Sequence, residues 1–111
     1  MDKKMKKINN YEEDLIESLK DPKEAVAYLQ AALEESDMPE VFLLALRRVA
    51  EARGISNLAQ EAHLNRENLY RLLSKEGNPE LDSLYAILDA LGFKFSVELK
   101  KAFYSLNFLW Q

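Results

Sequence analysis

Residues 55–74 read ISNLAQEAHLNRENLYRLLS, and this stretch decides the fold. Two short amphipathic segments, Ser56 to Ala62 and Arg66 to Lys75, flank His63, Leu64 and Asn65, a break that leaves room only for a tight turn. Two helices joined by about 3–4 residues have the layout of a helix-turn-helix, whose second helix enters the DNA major groove. A turn this short also joins neighbouring helices in many all-α domains, so the flanking chain has to decide between the two.

The residue types suit the DNA-binding layout. Ala59 and Ala62 keep the first helix thin where the second crosses it. At 100° per residue, Leu69, Leu72 and Leu73 form one inward stripe on the second helix, and Glu67, Tyr70, Arg71 and Ser74 point away from it. Asn65 is a good N-cap, which puts Arg66, Glu67 and Asn68 in the first turn, the part of such a helix that reaches base edges. The expected base-reading set is Glu67, Asn68, Tyr70, Arg71 and Ser74, and Ser56, Asn57 and Arg66 are expected on phosphates.

Charge is distributed to match. The formal net charge is −4, yet residues 45–75 carry six basic groups against three acidic ones, whereas residues 1–44 carry six against eleven and residues 76–111 three against five. The net-positive span is the one that holds the motif. Phosphate contact dominates nonspecific affinity, so one copy this weakly basic should bind poorly, and two copies on a palindromic operator are the natural remedy.

Upstream, Tyr11, Leu15, Ile16 and Leu19 follow helical spacing, with Asn10 as cap, after a solvated basic end that holds Lys3, Lys4, Lys6 and Lys7 and is expected to fray. Asp21, Pro22 and Glu24 start a second helix that runs to about Glu35, with an apolar stripe of Ala25, Tyr28, Leu29, Ala32 and Leu33. Ser36 or Asp37 is expected to cap a third, where Val41, Leu44, Ala45, Val49 and Ala52 lead to a stop at Gly54. Arg47, Arg48 and Arg53 on that helix are candidate phosphate flankers.

Downstream, Gly77 and Pro79 mark a loop, and a helix from about Asp82 to Leu91 buries Leu84, Ile87, Leu88 and Leu91. The period then changes to two: Phe93, Phe95, Val97 and Leu99 alternate with Lys94, Ser96, Glu98 and Lys100, the signature of a strand with one buried face. A lone strand leaves its backbone groups unpaired. Two partners are open to it: the same strand of a second copy, which makes Phe93, Phe95, Val97 and Leu99 a homodimer interface, or the N-terminal residues of its own chain. The last residues, Ala102 to Gln111 (AFYSLNFLWQ), are too apolar for a solvated tail and either form an interface or fold back over the core.

With this frame in place, the chain resembles the phage-repressor-type helix-turn-helix proteins and their antitoxin relatives. The resemblance rests on Leu58 and Ala59, Leu64, Leu69 and Leu72, then Gly77, Asn78 and Pro79, then Ile87, Ala90, Leu91 and Gly92. One branch is similar over about Tyr11 to Glu98: the "probable addiction module antidote protein" group of HigA-like antitoxins. It shares segments like YEEDLIESLKDPKEAVAYLQAALEE, VFLLALRRVAEARGIS and LNRENLYRLLSKEGNPELDSLYAILDALGFKFSVE. His63 stands at the turn position where the family usually has Gly, which implies a left-handed conformation that His tolerates less readily, and the aromatic tail lies beyond the family pattern. The resemblance implies a sequence-specific DNA-binding antitoxin that represses its own operon and neutralises a cognate toxin, a RelE-like ribonuclease. The alternative is a stand-alone phage-type repressor without a toxin.

The expected fold is mainly α: a phage-repressor-like helix-turn-helix bundle with an N-terminal helical extension (1–36), a DNA-binding core (37–92), and a C-terminal strand and tail (93–111), compact as one domain. The chain has no Cys and one His, which leaves no thiolate metal site, no His cluster and no expected cofactor. The acidic residues are scattered and no Gly-rich phosphate loop is present, which argues against an enzyme. No signal peptide or membrane span is legible, so a cytoplasmic location is expected.

Overall fold

Gly54 joins two helices with no loop between them, and this sharp join sets the geometry of the molecule's centre. In the computed structural model, which describes residues 3–100 and the side chains of residues 10–100, Gly54 has φ 108° and ψ 107°. It donates its N–H to the Ala50 carbonyl, closing one helix, and accepts from the Leu58 N–H, opening the next. A Cβ is strained at such a φ, so Gly is the residue that allows the corner.

Six helices are described: α1 (Lys3–Ser18), α2 (Pro22–Glu35), α3 (Pro39–Arg53), α4 (Ile55–Glu61), α5 (Arg66–Leu72) and α6 (Leu81–Leu91). α1 and α2 pack on α3, α3 packs on α4, and α4 meets both α5 and α6. The centre is held by Leu46, Val49, Leu58, Leu69, Leu73 and Ile87, all buried. Leu19, Ala25 and Leu29 from the N-terminal helices join the same core.

Several expectations need correction. α1 begins at Lys3, so Asn10 lies inside a helix and caps nothing. The Lys- and Met-containing N-terminus holds no Gly or Pro to stop a helix. α3 starts after Met38, not Ser36 or Asp37, because Pro39 holds the residue before it extended (φ −94°, ψ 114°); the Ser36 hydroxyl instead accepts from the Met38 N–H at 3.0 Å. The buried stripe of α3 is also rotated: Leu43, Leu46 and Ala50 are buried with Ala45, Val49 and Ala52, while Leu44 is exposed. α5 ends at Leu72, three residues short of Lys75. The Ser74 hydroxyl donates to the Arg71 carbonyl at 2.8 Å and the chain folds back at once, so that Gly77 lies against the Leu72 carbonyl.

The predicted strand does not form in the single chain. Residues 93–100 are neither helix nor strand, and no strand is described elsewhere among residues 3–100 to pair with them. The one-sided burial expected of Phe93, Phe95, Val97 and Leu99 is correspondingly missing: Phe93 packs against the core, Phe95 meets the Tyr85 ring edge-on at 5.0 Å, and Val97 is 97% exposed. Pairing with the N-terminus of the same chain is overturned from Lys3 onward, because that segment is helical. The tail Ala102–Gln111 lies outside the described residues.

Candidate nucleic-acid interface

The turn between α4 and α5 is built from hydrogen bonds that the sequence encodes directly. His63 takes the left-handed conformation (φ 59°), its N–H bonds the Gln60 carbonyl at 3.2 Å, and the Leu64 N–H reaches back to the Ala59 carbonyl at 2.8 Å. These two bonds form a Schellman motif that satisfies the last carbonyls of α4. Asn65 then opens α5, its Oδ1 accepting from the Asn68 N–H at 2.7 Å. Helix α5 has only seven residues, too few to persist alone, and it stands because Leu69 and Leu73 bury completely beneath it.

That burial fixes what α5 shows to solvent. Arg66, Glu67 and Arg71 are exposed, while Asn68 and Tyr70 are half-buried. The Arg71 guanidinium donates to Asn68 Oδ1, so the two act as one hydrogen-bonded unit. Ser74 lies beyond the helix with its hydroxyl committed to the Arg71 carbonyl. Ser56 and Asn57 stand exposed in the first turn of α4, and no hydrogen bond ties them to α5 among the described residues.

The arginines of α3 separate by role. Arg53 donates to the Leu91 carbonyl at 3.2 Å and so closes the C-terminal end of α6. The Arg47 guanidinium lies over the Tyr70 ring, 4.8 Å from its centroid, with Arg66 on the same ring at 5.9 Å. The placement of Arg47 against Tyr70 has no local signal in the sequence, since it comes from the packing of the bundle.

A second surface lies on the N-terminal helices. A hollow of about 350 Å³ opens between α2, α3, α6 and the loop at Gly77, Asn78 and Pro79, lined by Leu33, Met38, Phe42 and Leu84 among others. Leu33 and Met38 are 60% and 54% exposed, and the exposed acids Glu34, Glu35 and Asp37 stand beside them in sequence. Among the described residues no helix is long and apolar enough to cross a membrane.

Comparison with known proteins places the chain. Residues 8–99 match the family model described as "Probable addiction module antidote protein", and the chain belongs to that family. A Haemophilus influenzae protein, described as uncharacterized, is 36% identical over 85 residues, which covers 77% of this chain and 87% of the relative. No solved structure matches. Membership implies a cognate toxin as partner and a regulatory role.

Proposed function

We propose that the chain is the DNA-binding antitoxin of a type II toxin–antitoxin module: a HigA-like homodimer in the cytoplasm that binds a palindromic operator, represses its own operon and neutralises a RelE-like ribonuclease toxin. The observation that carries the DNA reading is the division of α5, with Leu69 and Leu73 fully buried and Glu67 and Arg71 in solvent, inside the net-positive span of the chain. A recognition helix needs that division, with a packed ridge behind and polar side chains in front. Arg71 is suited to guanine, Asn68 to adenine and Glu67 to the cytosine amino group, with Ser56, Asn57 and Arg66 toward phosphates.

The antitoxin reading rests on family membership and is supported by the hollow beside α2, where apolar Leu33 and Met38 stand next to acids that suit a basic partner. The homodimer reading is supported by the alternating segment 93–99, whose backbone beyond Phe93 joins no strand among the described residues and is a template for a second copy.

The test has two arms. In a mobility-shift titration on the duplex upstream of the gene, Arg71→Ala weakens binding by about 1–3 kcal/mol and relaxes base preference, as expected for a bidentate contact. Coexpression with the adjacent reading frame then recovers a stable complex with the tagged chain. Loss of neither affinity nor specificity removes Arg71 from the reading set, and a chain that never copurifies with its neighbour's product is not its antidote.

A further inference from the structure

Tyr70 sits on α5 in the row next to Glu67 and Arg71, yet its ring is half-buried and carries two guanidinium groups. Arg66 reaches it from one turn earlier in the same helix, and Arg47 from α3. Among the described residues neither arginine is ion-paired with a carboxylate, the ion pair found there being Lys20 with Glu17, and neither donates a side-chain hydrogen bond. Two cations gathered on one ring with their N–H forks unused are arranged for an anion that comes from outside the chain. The planar fork of each guanidinium matches a phosphate's oxygens, and stacking on an aromatic face orders the side chain before the ligand arrives.

We propose that Arg47 and Arg66, held over the Tyr70 ring, form a clamp for one phosphodiester stretch of the nucleic-acid backbone, and that Tyr70 is a positioning residue which reads no base. The inference rests on the DNA-binding reading and refines it. Tyr70 leaves the base-reading set expected from the sequence, and Arg47, one of three candidate phosphate flankers on α3, is joined to Arg66 at a single phosphate site. Base reading then falls to the neighbouring row of Glu67, Asn68 and Arg71, and the clamp fixes the register of that row on the duplex.

The experiment measures binding of the full-length protein to the duplex upstream of its gene and to a mixed-sequence duplex, by fluorescence anisotropy across a salt series. Arg47→Gln and Arg66→Gln each make the slope of log affinity against log salt shallower by about 0.9 on both duplexes, because each removes a phosphate contact, and leave the ratio between the duplexes unchanged. Tyr70→Phe keeps the ring and behaves as the parent; Tyr70→Leu, checked for folding by circular dichroism, approaches a variant that combines Arg47→Gln with Arg66→Gln. A parent-like slope in Arg47→Gln overturns the clamp, as does a Tyr70→Phe variant that shifts base preference. Proton NMR reads the stack without DNA: the δ-methylene signals of Arg47 are shifted upfield by the ring in the parent and return to ordinary positions in Tyr70→Leu. Unshifted signals in the parent sink the clamp while leaving DNA binding intact. A parent protein that binds neither duplex sinks the DNA-binding reading itself.

Discussion

Gly77 shows how much one methyl group can matter here. A Cβ at this position would run into the Leu72 carbonyl and crowd the Arg71 oxygen, both fixed at the end of α5 and unable to give way. Gly77→Ala should therefore destabilise the fold by about 1–3 kcal/mol, the scale of local backbone strain, read as a lower denaturation midpoint at unchanged slope. The sequence marks Gly77 as a loop residue, but the close approach that demands glycine is set by the fold. His63 is the contrasting case. Its left-handed conformation was legible because proteins of the resembling family usually carry Gly at this turn position, and the structure gives φ 59°.

Among the elements, α5 depends most on its surroundings. Seven residues form too short a helix for propensity to hold, so its stability comes from Leu69 and Leu73 beneath it and from Asn65 at its start. Asn65→Ala removes the acceptor for the Asn68 N–H and should cost about 1 kcal/mol in thermal or denaturant melts, while weakening DNA binding by loosening the first turn that carries Arg66 and Glu67. Loss of stability without any change in affinity would show that the first turn is not part of the interface. α3 illustrates where periodicity runs out. The run VFLLALRRVA is apolar on more than one side, so both the 41, 44, 45, 49, 52 stripe and the 43, 46, 50 stripe have helical spacing. Packing by α1 and α2 as well as α4 buried the second together with Ala45, Val49 and Ala52 of the first, and left Leu44 outside.

At the scale of the whole molecule, the proposed dimer turns on the segment 93–100. Val97, almost wholly exposed, is the cleanest probe, because its substitution disturbs little of its own chain. Val97→Lys should leave the melting temperature of the monomer unchanged and shift sedimentation from dimer toward monomer, with a matching fall in operator affinity, since two half-sites are no longer engaged together. Deletion of residues 93–111 should give the same monomer. A truncated chain that still sediments as a dimer would locate the twofold interface elsewhere.

Local physics made several features readable from the residues: the turn with His63 and its Asn65 cap, the Asp21–Pro22 start of α2, the stops at Gly54 and Gly92, and the inward Leu69 and Leu73. Each follows from hydrogen bonds or spacing within a few residues. Packing between distant segments set which residues of α3 are core, that Arg53 closes α6, and that Arg47 rests on Tyr70. Those pairings join residues far apart in the chain, and helical periodicity specifies how often a side chain faces one direction but not which partner it meets there.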